Sequence, residues 1–400
     1  MKSSSRILMI VLSTVPLGGI GIDLYASSLP TLAAHFGADA VATKSTLTVF
    51  LIGLFVGMLY SGTLSDVVGR KKPQLVNALL FTLASVAIPF AGTIEQVMAL
   101  RFLQGVSAGG MQAVCRSILS DSFSPTEITR KSLYVTTVWG MGPIFAPWIG
   151  GVLVTAYGWK SCFYLLGAYG CGLAALIAWG LPETNAHRER FRVARFRRDV
   201  VQVVAHNDFL LPVFAMGCAY ASLVTYGAVG PYFVQVALRL SPATYGNIGL
   251  VVGCGYLLGN LILRLLLARR WSEDRLLTWA AGGTLAGVAV SVALQWSYPG
   301  VHAIWIASVL ADCLMMGFVY PIYMAKSLRV HPGRSGLASA MTVSAVLLLA
   351  SIFGAIVSTF TIRSSLQFLG VYLILSVGIV MVRVRERIRI RPDFAFEREV

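Results

Sequence analysis

Residues 45–72 read STLTVFLIGLFVGMLYSGTLSDVVGRKK. The first 21 carry no charge, and the stretch ends on one acid, Asp66, and three consecutive bases, Arg70, Lys71 and Lys72. At 1.5 Å per residue, a helix of that length reaches about 31 Å, the thickness of a bilayer's hydrocarbon core. Backbone in lipid satisfies its N–H and C=O groups only as helix or closed barrel. This run is too long and too uniformly apolar for the alternating strands of a barrel. Similar runs recur at roughly 7–29, 74–92, 97–119, 133–156, 161–181, 209–236, 245–267, 276–296, 302–325, 337–361 and 365–382, which with 45–65 makes twelve predicted spans. Hydrophobic residues are 56% of the 400 and charged residues 12%, about half the charged share of a soluble domain. Twelve spans of about 20 residues occupy about 240 positions, leaving little for an extramembrane domain. The predicted fold class is an all-α membrane protein.

The formal charge is +15, from 32 Lys and Arg against 17 Asp and Glu. Such an excess suits either nucleic-acid binding or the cytoplasmic loops of a membrane protein. With the N-terminus inside, 27 of the 32 bases fall on inner loops, tails and helix ends; Lys44, Lys160, Arg239 and Arg363 fall outside, and Arg101 lies within a span. That bias predicts cytoplasmic termini and explains the charge without nucleic acid. Lys2 and Arg6 before an apolar run look superficially like a secretory signal. Asp23, Pro30 and the lack of a cleavage site predict a retained first span instead. The one long connection contains HRERFRVARFRRDVVQVVAH at 187–206; it suits either a helix lying on the inner membrane surface or a solvated basic loop. On either side of it the pattern repeats with an offset near 200. The predicted organisation is two six-helix halves, 1–184 and 209–384, a cytoplasmic linker at 185–208 and a basic tail at 385–400.

Several spans end on, or contain, distinctive residue groups. After span 2 stands Gly62-Thr-Leu64-Ser-Asp66-Val-Val-Gly69-Arg70-Lys71-Lys72, and in span 4 Arg101-Phe-Leu-Gln104-Gly105. Span 5 carries Gly140-Met-Gly142-Pro143-Ile-Phe-Ala-Pro147-Trp-Ile-Gly150-Gly151. Span 1 ends Asp23-Leu-Tyr25-Ala-Ser-Ser-Leu-Pro30, and span 6 ends Pro182-Glu183-Thr184. These resemble motifs of the major facilitator superfamily: G-x-L-x-D-x-x-G-R-K/R, R-x-x-Q-G and the antiporter motif G-x-x-x-G-P-x-x-G-G. The last departs from the pattern in its spacing, with six residues instead of two between Pro143 and the glycine pair, and by a second proline, Pro147. Together they look like the twelve-span drug/proton antiporters of the bicyclomycin-resistance (Bcr/CflA) type. The resemblance implies two pseudo-symmetric halves, alternating access, and proton-coupled efflux of small amphipathic compounds from a bacterial cell across its inner membrane. It further implies a non-enzyme driven by the proton gradient, with no cofactor or metal. The expected partners are a small-molecule substrate, protons and lipid, with neither nucleic acid nor an obligate protein partner, and a monomeric state. It also implies that the Gly62–Lys72 loop locks an inner gate. There Gly69 permits a tight turn, and Asp66 can face Arg70 or a helix N-terminus. Lys71, Arg116 and Asp121 are the other expected members of that gate.

Two acids lie well inside spans, Asp23 and Asp312. An ionised Asp there costs about 2.5–3.5 kcal/mol, and such residues mark ion or proton pathways. Asp23 stands roughly 24 Å above the inner face, and Arg101 roughly 6 Å below the outer one. In a core about 30 Å thick these are one depth. An Asp23–Arg101 pair is therefore expected, either proton-linked or purely structural. Arg101, Gln104, Ala108, Gln112 and Cys115 share a helix face, which suggests a wet cavity wall. Trp305, Ser308, Asp312, Met315 and Met316 fall on one side of span 10, suited either to lipophilic cations or to ordinary packing. Tyr25, Ser222, Tyr226 and Phe233 are further expected cavity residues. The stretch from Gly259 to Arg270 corresponds to the Gly62 loop but holds no acid, so gating charge is expected to be asymmetric.

The six cysteines lie in apolar stretches without a CxxC and are expected to be buried hydrophobes. The five histidines form no metal-ligand pattern, and no P-loop is present. Gly105-Val-Ser107-Ala-Gly109 matches the G-x-S-x-G elbow of hydrolases, but that elbow needs a strand–turn–helix. Here the glycines read as helix packing. The alternative to a drug exporter is a transporter of one metabolite, such as a siderophore, amino acid or peptide. The third reading, a membrane enzyme or receptor, is disfavoured by Asp23, Asp312 and the repeat.

Overall fold

The computed structural model describes residues 3–185, 207–329, 335–360 and 362–390. The predicted linker helix at 187–206 and the end of the basic tail lie outside the described residues. Those described form helices α1 (Ser3–Thr14), α2 (Leu17–Ala26), α3 (Leu29–Phe36), α4 (Ala40–Val68), α5 (Lys71–Ala87), α6 (Ile94–Ser122) and α7 (Pro125–Tyr157). They continue with α8 (Lys160–Gly180), α9 (Asn207–Tyr232), α10 (Pro242–Ala268), α11 (Glu273–Ser297), α12 (His302–Arg329), α13 (Ser335–Ser358) and α14 (Ser365–Ile390). Among the described residues, eleven segments, counting α1 and α2 as one, are long and apolar enough to cross a membrane. The remaining predicted span is α6, whose 29 residues are amply long. Its apolarity is diluted by Glu95, Gln96, Arg101, Gln104, Gln112 and Arg116, the residues that give it chemistry.

The first span departs from the continuous helix expected at 7–29. It breaks between Thr14 and Leu17, because Pro16 has no N–H to give to the helical ladder. A five-residue π-helical turn, Phe233–Ala237, follows α9. Pro143 and Pro147, by contrast, sit inside an unbroken α7.

Contacts divide the chain into two compact units. One comprises Met1–Phe196, Tyr226–Leu250 and Ser351–Thr361; the other comprises Arg197–Thr225, Val251–Ala350 and Ile362–Val400. In the first unit α4 and α6 meet backbone to backbone. A side chain at Gly53 or Gly57 would strike the main chain of Phe102 or Val106, and one at Gly105 or Gly109 that of Phe50 or Leu54. The G-x-S-x-G stretch is thus a helix-packing surface of small residues. The same device recurs 202 positions on, in the second unit: Gly255 and Gly259 of α10 lie against Leu310 and Leu314 of α12, and Gly317 against Tyr256. All six cysteines are free, but Cys171 and Cys254 are exposed rather than buried, since they sit on the outward faces of α8 and α10.

Candidate functional site

In the first unit the polar residues of α6 form a buried stack. Arg101 is completely enclosed. Its Nη1 donates to the Gly21 carbonyl at 2.9 Å and to Gln104 Oε1 at 2.5 Å. Its guanidinium lies over the rings of Tyr25 and Phe50, 4.6 and 4.3 Å from their centres. Gln104 passes the chain on to Ser85 on α5 at 2.7 Å, and the Tyr25 hydroxyl meets Thr46 on α4 at 2.8 Å. Gln112 donates to the Val15 carbonyl at 3.2 Å, beside the break in the first span. Arg101, Gln104 and Gln112 are buried between helices. No Asp23–Arg101 ion pair forms among the described residues. Arg101 reaches the backbone of Gly21 instead, and positions i and i+2 on a helix face different ways. Equal depth does not fix azimuth. Arg101 Nε and Nη2 have no hydrogen-bond partner among the described residues, an energetically loaded state for a buried cation.

The second unit places Ser222, Trp305, Ser308 and Asp312 near one another. Ser222 Oγ lies 2.7 Å from Asp312 Oδ2. Tyr372 of α14, which sequence reading did not single out, donates to the Ser222 carbonyl at 2.8 Å. Its ring meets Phe368, which packs edge-on against Trp305. Trp305, Ser308, Asp312 and Met316 are all buried. Tyr226 belongs to the first unit, where it stacks on Tyr245, 5.1 Å between ring centres, and bonds to its carbonyl. Phe233 is buried in the π-helical turn.

The Gly62–Lys72 stretch forms a knot of four chain segments. Gly62 lies inside α4 with open space around its Cα. Gly69 ends α4 with a φ of 97°, a conformation that favours glycine. Arg70, which starts α5, turns its side chain back to Asp66 (2.5 Å) and Ser65 (2.8 Å), and across to Asp121 at the end of α6 (2.8 Å). Burial alone would lower the Arg70 pKa; the hydrogen bonds and charges of Asp121 and Asp66 outweigh it and hold the guanidinium above its ordinary value. The N-terminus of α5 is taken by Glu183, not by Asp66. Glu183 accepts from the backbone N–H of Arg70 at 2.8 Å and of Lys71 at 3.4 Å. Burial pushes the Glu183 carboxyl up, but the backbone donors of Arg70, Asn185, Lys71 and Thr184 prevail and hold it below the usual carboxylate range. Arg116, also expected here, is half-buried on α6.

The antiporter-type stretch packs α7 within the first unit. Gly142 approaches α2 near Ile20, and Gly150 lies on the Leu24 carbonyl. Pro147 and Gly151 meet the first turns of α10 at Pro242–Gly249. In the same unit Lys44 is buried, at 2% exposure, rather than lying in an outer loop. Its Nζ donates to the Phe360 carbonyl at 3.0 Å and the Ser358 carbonyl at 3.5 Å, just where α13 ends, and lies 5.5 Å from the Tyr232 ring. The Tyr232 hydroxyl meets Thr43 and the Leu29 carbonyl, and Gln235 donates to the Ser27 carbonyl at 2.9 Å.

The second unit carries its own ion pairs outside the stretch that matches the Gly62 loop. The Gly259–Arg270 stretch holds no acid, but other helices do. Asp274 at the start of α11 pairs with Lys326 of α12 (3.1 Å) and Arg383 of α14 (3.2 Å), and Glu386 pairs with the same two bases at 3.7 and 3.0 Å. Glu273 holds Arg329 through both terminal guanidinium nitrogens, Nη1 and Nη2.

A profile of the Major Facilitator Superfamily matches residues 13–355. The uncharacterized MFS-type transporter YdgK of Bacillus subtilis (strain 168) is 27% identical over 349 residues, 85% of each chain. The multidrug resistance protein MdtL of Shewanella oneidensis is 27% identical over 80% of each chain. The multidrug transporter MdfA of Yersinia pestis is 27% identical over 68% of this chain and 66% of its own. Among solved structures, a D-xylose-proton symporter superposes with a TM-score of 0.75 at 14% identity, over 94% of this chain and 96% of its own. The nucleoside transporter NupG does so with 0.72 at 11%, over 96% and 98%. Likenesses of that identity speak for fold alone. With its helical spans, its glycine-paired helices and a profile match over most of its length, the chain belongs to the Major Facilitator Superfamily.

Proposed function

We propose that this transporter is a proton-coupled antiporter, of the bicyclomycin-resistance type, exporting small amphipathic compounds across a bacterial cytoplasmic membrane by alternating access, with both termini inside. The observation that carries the reading is a pair of carboxyl groups inside membrane helices, Asp23 and Asp312, neither in an ion pair among the described residues. An ionised Asp costs about 2.5–3.5 kcal/mol at mid-membrane, and less nearer a face, where Asp23 lies. Each is therefore stabilised by taking a proton or a cationic substrate, and competition for one such site is the coupling that exchange requires. Arg101 keeps two donors without a hydrogen-bond partner among the described residues. The aromatic and Met side chains around Asp312 suit lipophilic cations, and export of varied compounds accords with the multidrug relatives MdtL and MdfA. The Arg70 knot is the proposed inner latch, and the cluster about Lys44 the outer one. The test is efflux of a dye panel from cells carrying the chain or an empty vector, with and without a pH gradient. Gradient-dependent export of several cationic dyes is expected; export indifferent to the gradient would overturn the coupling.

A further inference from the structure

Ser222 Oγ stands 2.7 Å from Asp312 Oδ2 and 2.8 Å from the carbonyl oxygen of Ala219, three residues back on α9. A hydroxyl has a single proton to give and lone pairs to accept with. The two contacts therefore cannot both be donations from Ser222. If the proton points to Asp312, the carboxyl accepts it, most strongly as the charged carboxylate, and the Ala219 contact is empty of hydrogen. If it points to Ala219, the back-bond common for serine in helices, the Asp312 contact holds only when the carboxyl itself carries a proton and donates.

We propose that Ser222 is the adaptor that lets Asp312 take up and release a proton without moving a heavy atom. Rotation of one hydroxyl converts it from donor to the carboxylate into acceptor from the carboxylic acid. The bond formed on uptake is the O–H of Asp312, to a proton supplied by the aqueous phase; Ser222 keeps its own proton, and the ligand is the proton itself. The inference rests on the reading of Asp312 as a proton site and assigns Ser222 a positioning role in it.

The surroundings suit this. Ser222 and Asp312 are 3% and 7% exposed, so water cannot readily substitute for either partner. Tyr372 anchors the Ser222 main chain from α14. Ser308 Oγ, one turn before Asp312, is buried without a hydrogen-bond partner among the described residues. The titratable neighbours are Cys313 on the same helix, Tyr256 on α10 in range of Cys313, and Tyr372 on α14. No charged side chain from α9, α10, α11 or α14 forms an ion pair with Asp312 among the described residues.

The test uses the full chain in lipid vesicles and reads the carboxylic C=O band in pH-induced infrared difference spectra, alongside proton-driven dye transport. Asp312→Asn should abolish one band. Ser222→Ala should move that band's frequency and lower transport on the order of tenfold, the scale of a hydrogen bond to a charged group. Ser222→Thr should restore both. Ser222→Cys keeps the volume with a weaker hydrogen bond and should move the band too, which guards against poor folding of the alanine variant. An unmoved band in folded Ser222→Ala or Ser222→Cys overturns the adaptor while leaving Asp312 a proton site. All bands and proton-coupled transport intact in Asp312→Asn overturn the proton-site reading itself. Transport that follows sodium at fixed pH would overturn the proton as ligand.

Discussion

Replacing Lys44 by methionine keeps most of the buried volume and removes the charge. In the native chain the ammonium holds the end of α13 through the Phe360 carbonyl at 3.0 Å, with the Ser358 carbonyl at the marginal distance of 3.5 Å. A hydrogen bond to a charged group is worth about 1.5–3 kcal/mol net, and an ammonium near an aromatic ring adds about 0.5–1 kcal/mol. Counting the Phe360 bond at its low end, adding the Tyr232 ring and omitting Ser358 gives about 2 kcal/mol, or about 30-fold in an opening equilibrium. Ser358 is a suitable reporter because its side chain is 1% exposed while its carbonyl, not its hydroxyl, serves the latch. In a background without the six native cysteines, Ser358→Cys should react slowly with a membrane-impermeant thiol reagent applied from outside. Adding Lys44→Met should speed that reaction about 30-fold, and Lys44→Arg by much less. Unchanged rates in normally inserted Lys44→Met protein would refute the latch. Acceleration only in inside-out vesicles would keep the latch and reverse the proposed orientation.

Glu183→Gln should lower thermal stability, and the gap to wild type should depend on pH. Because the folded carboxyl titrates below its ordinary value near about 4.3, its contribution is complete above that value and fades as pH falls through the folded one; melting curves between neutral and acid pH read this. Gly57→Ala should impair folding, since its Cβ would meet the Val106 main chain, whereas Gly62→Ala should fold normally; overpacking of this kind costs about 1–3 kcal/mol, and the yield of monodisperse protein separates the two. Arg101→Lys should cut transport about tenfold or more with normal insertion, because a lysine cannot stack between Tyr25 and Phe50 while reaching Gly21 and Gln104. Arg383→Met should destabilise the second unit by about 2 kcal/mol, a value reduced for the half-exposed Asp274; combined with Asp274→Asn it should cost less than the two separately, as melting of the three variants will tell.

The spans, the helical class and the motif stretches were legible because each is local. Twenty apolar residues declare a helix in lipid whatever surrounds them, and Gly69 announces its own turn. What escaped depended on partners far along the chain. Glu183 caps α5 across 113 positions, and Lys44 caps α13 across 316; no periodicity connects them. Lys44 looked like a loop residue because α4 begins earlier, at Ala40. The ion pairs of the second unit are not legible in the sequence because their acids stand on α11 and α14, far along the chain from the bases of α12 that they meet. Arg101 and Asp23 were matched by depth, a one-dimensional measure, when rotation about the helix axis decides who meets whom. Pro16 was visible all along and carried the break in the first span.

Coupling itself is tested most directly by proton movement on adding substrate. Purified wild-type protein in detergent at weakly buffered pH should release protons when a transported lipophilic cation is added, and Asp23→Asn and Asp312→Asn together should release none. A wild-type protein that binds the cation with no proton release at any pH would contradict antiport.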